Sequence, residues 1–252
     1  MVESKHRWKA WLYLTPAIAL LLVFTVWPIL NTLWMAFQNG YSANRAMGGA
    51  VFQFGIENFQ RVLGYKRFID CLVNTMLLCV ATVPLSTILA LFIAVALNAI
   101  KPLQKLLQTI FFLPYVTNSI AIGMVFSAMF NIIGLRGEGI QADTLGIINN
   151  VIVAFGGKPV NWINAGSGYW ANITVVVIFI VWNALPFKIL ILLGGLQGIN
   201  KQYYEAAKVD GTAPWRVLTR ITVPLLSPMI AYVVITGFIT GFKEYSSMIF
   251  VQ

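Results

Sequence analysis

An all-α fold, a polytopic transmembrane helix bundle, is what this sequence predicts, and three observations predict it. Of its 252 residues, 59% are hydrophobic and 10% charged, against about 45–50% and about 25% in soluble globular domains. Apolar runs near the roughly 20 residues needed to cross a bilayer recur five times along the chain. The basic residues that give a net charge of +9 sit mostly in the short stretches between those runs. A mean hydropathy of +0.79 excludes disorder, which requires few apolar residues. The placement of the charge matches the positive-inside bias of membrane proteins rather than a nucleic-acid partner.

The predicted spans cover residues 11–37, 71–100, 106–133, 169–193 and 221–242. The first follows a basic start of Lys5, Arg7 and Lys9, as a signal peptide does. Its apolar stretch is far longer than a signal's roughly 7–15 residues and no small-residue cleavage site follows, so it reads as a mature helix. Pro28, Pro84, Pro114 and Pro186 interrupt the spans. Membrane helices tolerate such prolines where neighbouring helices satisfy the freed carbonyls, which suggests a packed bundle around a cavity. Cys71 and Cys79 lie in or beside one apolar run without metal-ligand neighbours and read as inert packing. His6, the single histidine, sits in the basic tail as a solvated charge.

Orientation follows from the loops. Lys5, Arg7 and Lys9, then Lys101 and Lys105, then Lys201, Lys208, Arg216 and Arg220 are the denser clusters and place the N-terminus in the cytoplasm. Lys66 and Arg67 argue the other way. Residues 145–155 are apolar but too short to span and predict an interfacial or re-entrant helix, broken by Gly156, Gly157 and Pro159. Trp162, Tyr169 and Trp170 suit the headgroup layer.

The connection 197–224 differs from the rest. Asn200 is placed to cap a short helix, along whose face Lys201, Glu205 and Lys208 can pair. Ala206 and Ala207 are small enough for another surface to approach closely. Gly211 fits the left-handed position that ends a helix. Thr212 is placed to cap a second helix with Pro214 in its first turn. From the residues alone this is either a solvated hairpin or a docking site. No phosphate-binding glycine loop and no nucleophile–base pair stands anywhere in the chain.

The spacing of Glu205, Ala206 and Ala207, then Asp210 and Gly211, then Ile221 and Pro224 resembles the EAA motif of ABC importer permeases: EAA, three residues, G, nine residues, I-x-L-P. Val223 replaces the motif's usual leucine. Phe54 to Phe59, Asn74 and Thr75, Phe111 to Pro114, and Gly194 to Gln197 resemble segments of the sugar-permease branch, related to maltose and glycerol-phosphate permeases. The likeness runs from Trp11 onward.

That resemblance implies a type I importer permease: one transmembrane domain over 1–252, with a cytoplasmic coupling helix within 200–214. Glu205, Ala206, Ala207, Asp210 and Gly211 would meet a cytoplasmic ATPase dimer, which would bind the ATP and Mg. The permease itself would perform no covalent chemistry and hold no cofactor or metal. Its partners would be a second, homologous permease subunit, that ATPase pair, an extracytoplasmic solute-binding protein and the lipid bilayer of a prokaryotic plasma membrane. A sixth span would follow the fifth, whereas the sequence stops at Gln252. Ala184, Phe187, Phe242, Lys243 and Ser246 match sugar-lining positions of the family. Ionisable residues inside spans are functional candidates. Lys188 and Lys243 either face such a cavity, or they snorkel or pair with Glu244. The rival readings are an ion-gradient-driven secondary transporter, an ABC permease for a non-sugar polar solute and a membrane scaffold. No convincing internal repeat supports the first of these.

Overall fold

The computed structural model describes residues 7–41, 52–100, 104–133 and 144–244. It divides into two compact units, Met1–Val73 and Asn74–Gln252.

In the first unit, α1 (Arg7–Leu21) runs through a π-helical turn (Leu22–Val26) into α2 (Trp27–Ala36), a single apolar helix 29 residues long from Trp8. Two of its threonine hydroxyls are satisfied within the helix: Thr15 donates to Trp11 O and Thr32 to Pro28 O, each at 2.7 Å. This is the cheap way to carry a polar atom through lipid. Beyond it, β1 (Gln38–Asn39) pairs antiparallel with β2 (Gln53–Phe54), followed by α3 (Glu57–Gly64).

The segment 54–59, singled out in the sequence, is the fastening of this turn. Phe54 packs edge-on against Trp34 at 4.9 Å and Phe59 against Phe37 at 5.2 Å. The Asn58 amide donates to Ala36 O and Gln38 O at 3.2 and 3.1 Å. Gly55 donates its backbone N–H to Phe37 O at 3.0 Å, and a β-carbon there would collide with the Asn39 side chain. α4 (Lys66–Ala99) begins in this unit and continues into the next.

The second unit contains α5 (Gln104–Val116), α6 (Ser119–Phe130), β3 (Ile132–Ile133), β4 (Thr144–Leu145), α7 (Ile147–Ala154) and α8 (Tyr169–Gln197). It closes with α9 (Lys201–Val209), α10 (Pro214–Val217), a second π-helical turn (Leu218–Thr222) and α11 (Val223–Gly241). Among the described residues, four helices, Trp8–Ala36, Lys66–Ala99, Tyr169–Gln197 and Pro214–Gly241, are long and apolar enough to cross a membrane.

The predicted third span is not one rod: Leu106–Val116 and Ile120–Phe130 meet at a 95° bend. The cause is local. Asn118 adopts extended backbone and its side chain accepts from Ile120 N at 2.8 Å, capping a fresh helix, just after Pro114 has removed a helical donor. The last span also starts earlier than the apolar run does, because Pro214 occupies the first turn of the helix that leads into it.

Two clusters hold this unit together. Ala90, Ala94 and Leu97 of α4 pack with Ile189, Leu192, Leu193 and Leu196 of α8 and with Leu226 and Val233 of α11. Ile122, Phe126 and Phe130 of α6 pack with Ile163, Val175 and Phe179. Association in lipid depends on close packing of small residues, and α11 supplies them as Gly237 and Gly241. A β-carbon at Gly237 would lie 3.1 Å from Val83 Cγ1, and one at Gly241 only 2.8 Å from Cys79 Sγ.

The segments flanking α7 are built on asparagines. Asn149 of α7 is fully buried. It accepts from Val160 N and donates to Val160 O, both at 3.0 Å, and accepts from Trp162 Nε1 at 3.2 Å. Asn164 bonds both backbone groups of Ile132 at 2.8 and 3.1 Å.

Candidate functional site

Two sites emerge in the second unit, a capped hairpin and a cavity.

The hairpin consists of α9 and α10. Asn200 caps α9, its side chain accepting from Gln202 N at 3.0 Å. At the other end Thr212 N donates to Ala207 O at 2.9 Å and Gly211 N to Lys208 O at 3.2 Å. That pair of bonds is a Schellman closure, with Gly211 at φ +63° in the left-handed position it requires. The glycine of the sequence motif is thus fixed by the geometry of a helix end.

Thr212 does not cap α10, contrary to the sequence expectation. Ala213 occupies that place and Pro214 the first turn, because the residue before a proline is held out of the helical region and so takes the cap position itself. Glu205, Ala206 and Asp210 are exposed while Ala207 is buried. The close approach expected for both alanines is therefore made at Ala207 by the chain itself. Tyr204 Oη lies 3.3 Å from Thr222 Oγ1, tying the hairpin to the turn that opens α11.

The cavity encloses about 390 Å³ between α4, α5, α8 and α11, within the range of roughly 300–1,000 Å³ typical of small-molecule sites. Its aromatic wall is Tyr115 stacked on Phe187, with ring centroids 6.1 Å apart and planes inclined by 21°. Its polar wall includes Asn183, Thr236, Thr240 and Glu244. Lys188 lies at the α4 side, 3% exposed. Its amine donates to Val83 O at 3.1 Å, Ser86 Oγ at 2.7 Å and Thr87 Oγ1 at 2.9 Å. An ammonium has three N–H donors, so each has its acceptor on α4.

Of the residues matched to a sugar site, Ala184 and Phe187 line this cavity. Phe242 is half exposed and Lys243 exposed, and neither is part of the lining. The lining face of α11 recurs at 236–237, 240–241 and 244. At 100° per residue Phe242 points about 200° away from Thr240. Ser246 lies outside the described residues. Lys188 does not snorkel; it is buried against α4. Sequence reasoning missed Ser86, Thr87, Tyr115, Thr236 and Thr240. The available signal was hydroxyls at i, i+4 within apolar helices, Thr82 with Ser86 and Thr236 with Thr240.

The family described as binding-protein-dependent transport system inner membrane component matches residues 82–252. The lactose transport system permease protein LacF of Rhizobium radiobacter is 32% identical over 233 residues, covering 91% of this chain and 71% of that protein. The trehalose/maltose transport system permease protein MalF of Thermococcus litoralis is 28% identical over 249 residues, covering 97% and 78%. The crystal structure of a bacterial alginate ABC transporter, in complex with a periplasmic protein bound to alginate pentasaccharide, contains a chain of similar fold. Its TM-score is 0.73 at 22% identity, over 92% of this chain and 72% of that one.

Proposed function

Since the chain belongs to the family of binding-protein-dependent transport system inner membrane components, a multi-pass membrane permease of the ABC importers, we propose that it forms half of the pathway for a sugar or oligosaccharide. The solute arrives on a binding protein. The observation that carries the solute class is the cavity wall, an aromatic pair beside hydroxyls and an amide. Aromatic faces stack on sugar rings, and the polar groups bond their hydroxyls. The named relatives handle lactose and trehalose or maltose, which supports the same class here.

In this reading a homologous permease supplies the other half. A cytoplasmic ATPase pair, holding the ATP and Mg, seats α9 through Glu205, Ala206, Asp210 and Gly211. Closure of that pair rocks the two permeases between inward- and outward-facing states. The N-terminus lies in the cytoplasm of a prokaryotic cell.

Phe187→Ala tests the cavity. It removes the stacking face and leaves α9 untouched, so uptake by the reconstituted transporter should fall about tenfold, the equivalent of about 1.4 kcal/mol, while the complex still purifies intact. Unchanged uptake would move the solute path elsewhere.

Orientation is tested separately. Single cysteines at Lys5 and Lys208, in a chain lacking Cys71 and Cys79, should resist an impermeant thiol reagent in intact cells and react after lysis. Labelling of either one in intact cells would contradict the cytoplasmic placement.

A further inference from the structure

We propose that α7 is a membrane-surface anchor, its outward face set into the boundary between headgroups and acyl chains at the end of the bilayer where α8 begins. The proposal concerns the lipid and does not depend on the solute.

α7 has its polarity reversed. A helix against water turns its aliphatic side chains inward and its amides outward. Here Asn149 is fully buried, bonded to both backbone groups of Val160 and to the Trp162 indole. Ile147, Val151 and the C-cap residue Phe155 recur at every fourth position and are exposed, Phe155 by 89%. Val153 is exposed beside them. A polar interior and an apolar exterior suit a helix whose surroundings are apolar.

Packing gives the depth of α7. Ile148 packs against the cluster that joins Phe126 and Phe130 of α6 to Val175 and Phe179 of α8. The 29 residues of α8 extend about 43 Å at about 1.5 Å per residue, against about 30 Å of hydrocarbon. Centred on the bilayer, α8 enters the hydrocarbon about four residues from its start, near Ile173. Val175 then lies just inside that boundary, and α7 lies along it.

The residue types select lipid over protein. No charged residue stands between Thr144 and Gly157, whereas about a quarter of the residues in soluble domains are charged. A face made for a detachable soluble partner would also meet water whenever that partner left, and this face is not built for water. Helix contacts within membranes favour small residues, and Ile147, Val151 and Phe155 are large. Lys158 follows the bend at Gly156 and Gly157, with Gly156 at φ +80°. A lysine at the rim of an apolar face complements a phosphate headgroup. Trp170, exposed in the first turn of α8, is an indole of the kind found at headgroup level.

The anchor is fastened to the bundle from within. Trp162, which the sequence assigned to the headgroup layer, bonds Asn149 and packs edge-on against Phe130 at 5.8 Å. Two residues on, Asn164 bonds both backbone groups of Ile132, just after α6. The depth of α7 in the lipid thereby sets the depth of that end of α6.

Power-saturation EPR on the complete transporter, in nanodiscs of phosphatidylethanolamine and phosphatidylglycerol, tests the placement. Spin labels go on Val151→Cys, Phe155→Cys and Lys158→Cys, one at a time, in a chain carrying Cys71→Ala and Cys79→Ala. Oxygen concentrates among acyl chains and a nickel chelate in water. The ratio of oxygen to nickel accessibility should be several-fold higher at Val151 and Phe155 than at Lys158. Equal ratios at the three positions would overturn the proposal. Low accessibility to both agents at Val151 and Phe155 would show that protein covers the face, a second permease or another chain, and would overturn it equally. The unsubstituted transporter supplies a check that survives any failure of the variants to assemble. A phosphatidylcholine with a diazirine in its acyl chain should, on illumination, tag the peptide from Ile147 to Phe155. Tagging of α8 without that peptide would overturn the proposal.

Discussion

Gly211→Val should uncouple the transporter. Gly211 sits at φ +63°, where an L-residue costs about 1–2 kcal/mol and a β-branched one more. The cheapest escape is to undo the closure by which Gly211 N and Thr212 N reach Lys208 O and Ala207 O. Either outcome displaces the last turn of α9, the surface assigned to the ATPase. We expect uptake to fall at least about tenfold, the effect of misplacing about 1.4 kcal/mol, with loss of ATPase stimulation by the loaded binding protein. Gly211→Asn is the control, since asparagine enters the left-handed region more readily, and it should keep most of the activity.

Glu205→Ala isolates the contact from the fold. Glu205 is exposed on α9 and its loss leaves both caps in place, so weaker ATPase assembly with an unchanged melting midpoint is the expected signature. Full transport-coupled hydrolysis in both Gly211→Val and Glu205→Ala would remove α9 from the coupling step.

Stranding the buried amine should produce the largest stability loss. Ser86→Ala combined with Thr87→Val deletes two of the acceptors at Lys188 Nζ, at 2.7 and 2.9 Å. Hydrogen bonds to charged groups are worth about 1.5–3 kcal/mol each, so the pair should cost about 3–6 kcal/mol. The melting midpoint of the purified complex should drop accordingly. The diagnostic step is to add Lys188→Leu. A buried charge without partners is the expensive species, and an apolar replacement of similar volume often recovers the loss. The triple variant should therefore melt well above the double. A triple variant as unstable as the double would show that the hydroxyls matter for α4 itself and not for the amine.

What could be read from the sequence divides along the range of the interactions. The spans were legible because run length and composition decide membrane insertion residue by residue. The ends of α9 were legible too: Asn200 and Gly211 act on backbone groups a few positions away, so residue type and spacing suffice. Thr212 misled because Pro214 holds the residue before it out of the helical region, so the cap position falls one residue later, on Ala213. The bend at Asn118 was hidden inside a continuous apolar run, since hydropathy cannot see a change of direction.

The cavity was half legible. Ala184 and Phe187, named by the family resemblance, line the cavity on α8, whereas Phe242, named the same way, fails by a matter of rotation on α11. The acceptors of Lys188 were beyond reach for a different reason. Ser86 and Thr87 lie 102 and 101 residues away, and only the packing of α8 on α4 brings them together.

The separation of the two sites along the chain has an evolutionary consequence. The surface proposed to face the ATPase is written in 200–214, held by its own cap, its own closure and the Tyr204–Thr222 contact. The cavity-lining positions of the neighbouring helices are written on either side, in 180–188 and 236–244. A mutation in the flanking stretches leaves the internal bonds of the hairpin untouched. If the two surfaces act as proposed, duplicated copies of such a gene are free to diverge in what they carry while inheriting their contact with the motor unchanged, so a new cargo would need only a handful of substitutions and no compensating change in the ATPase.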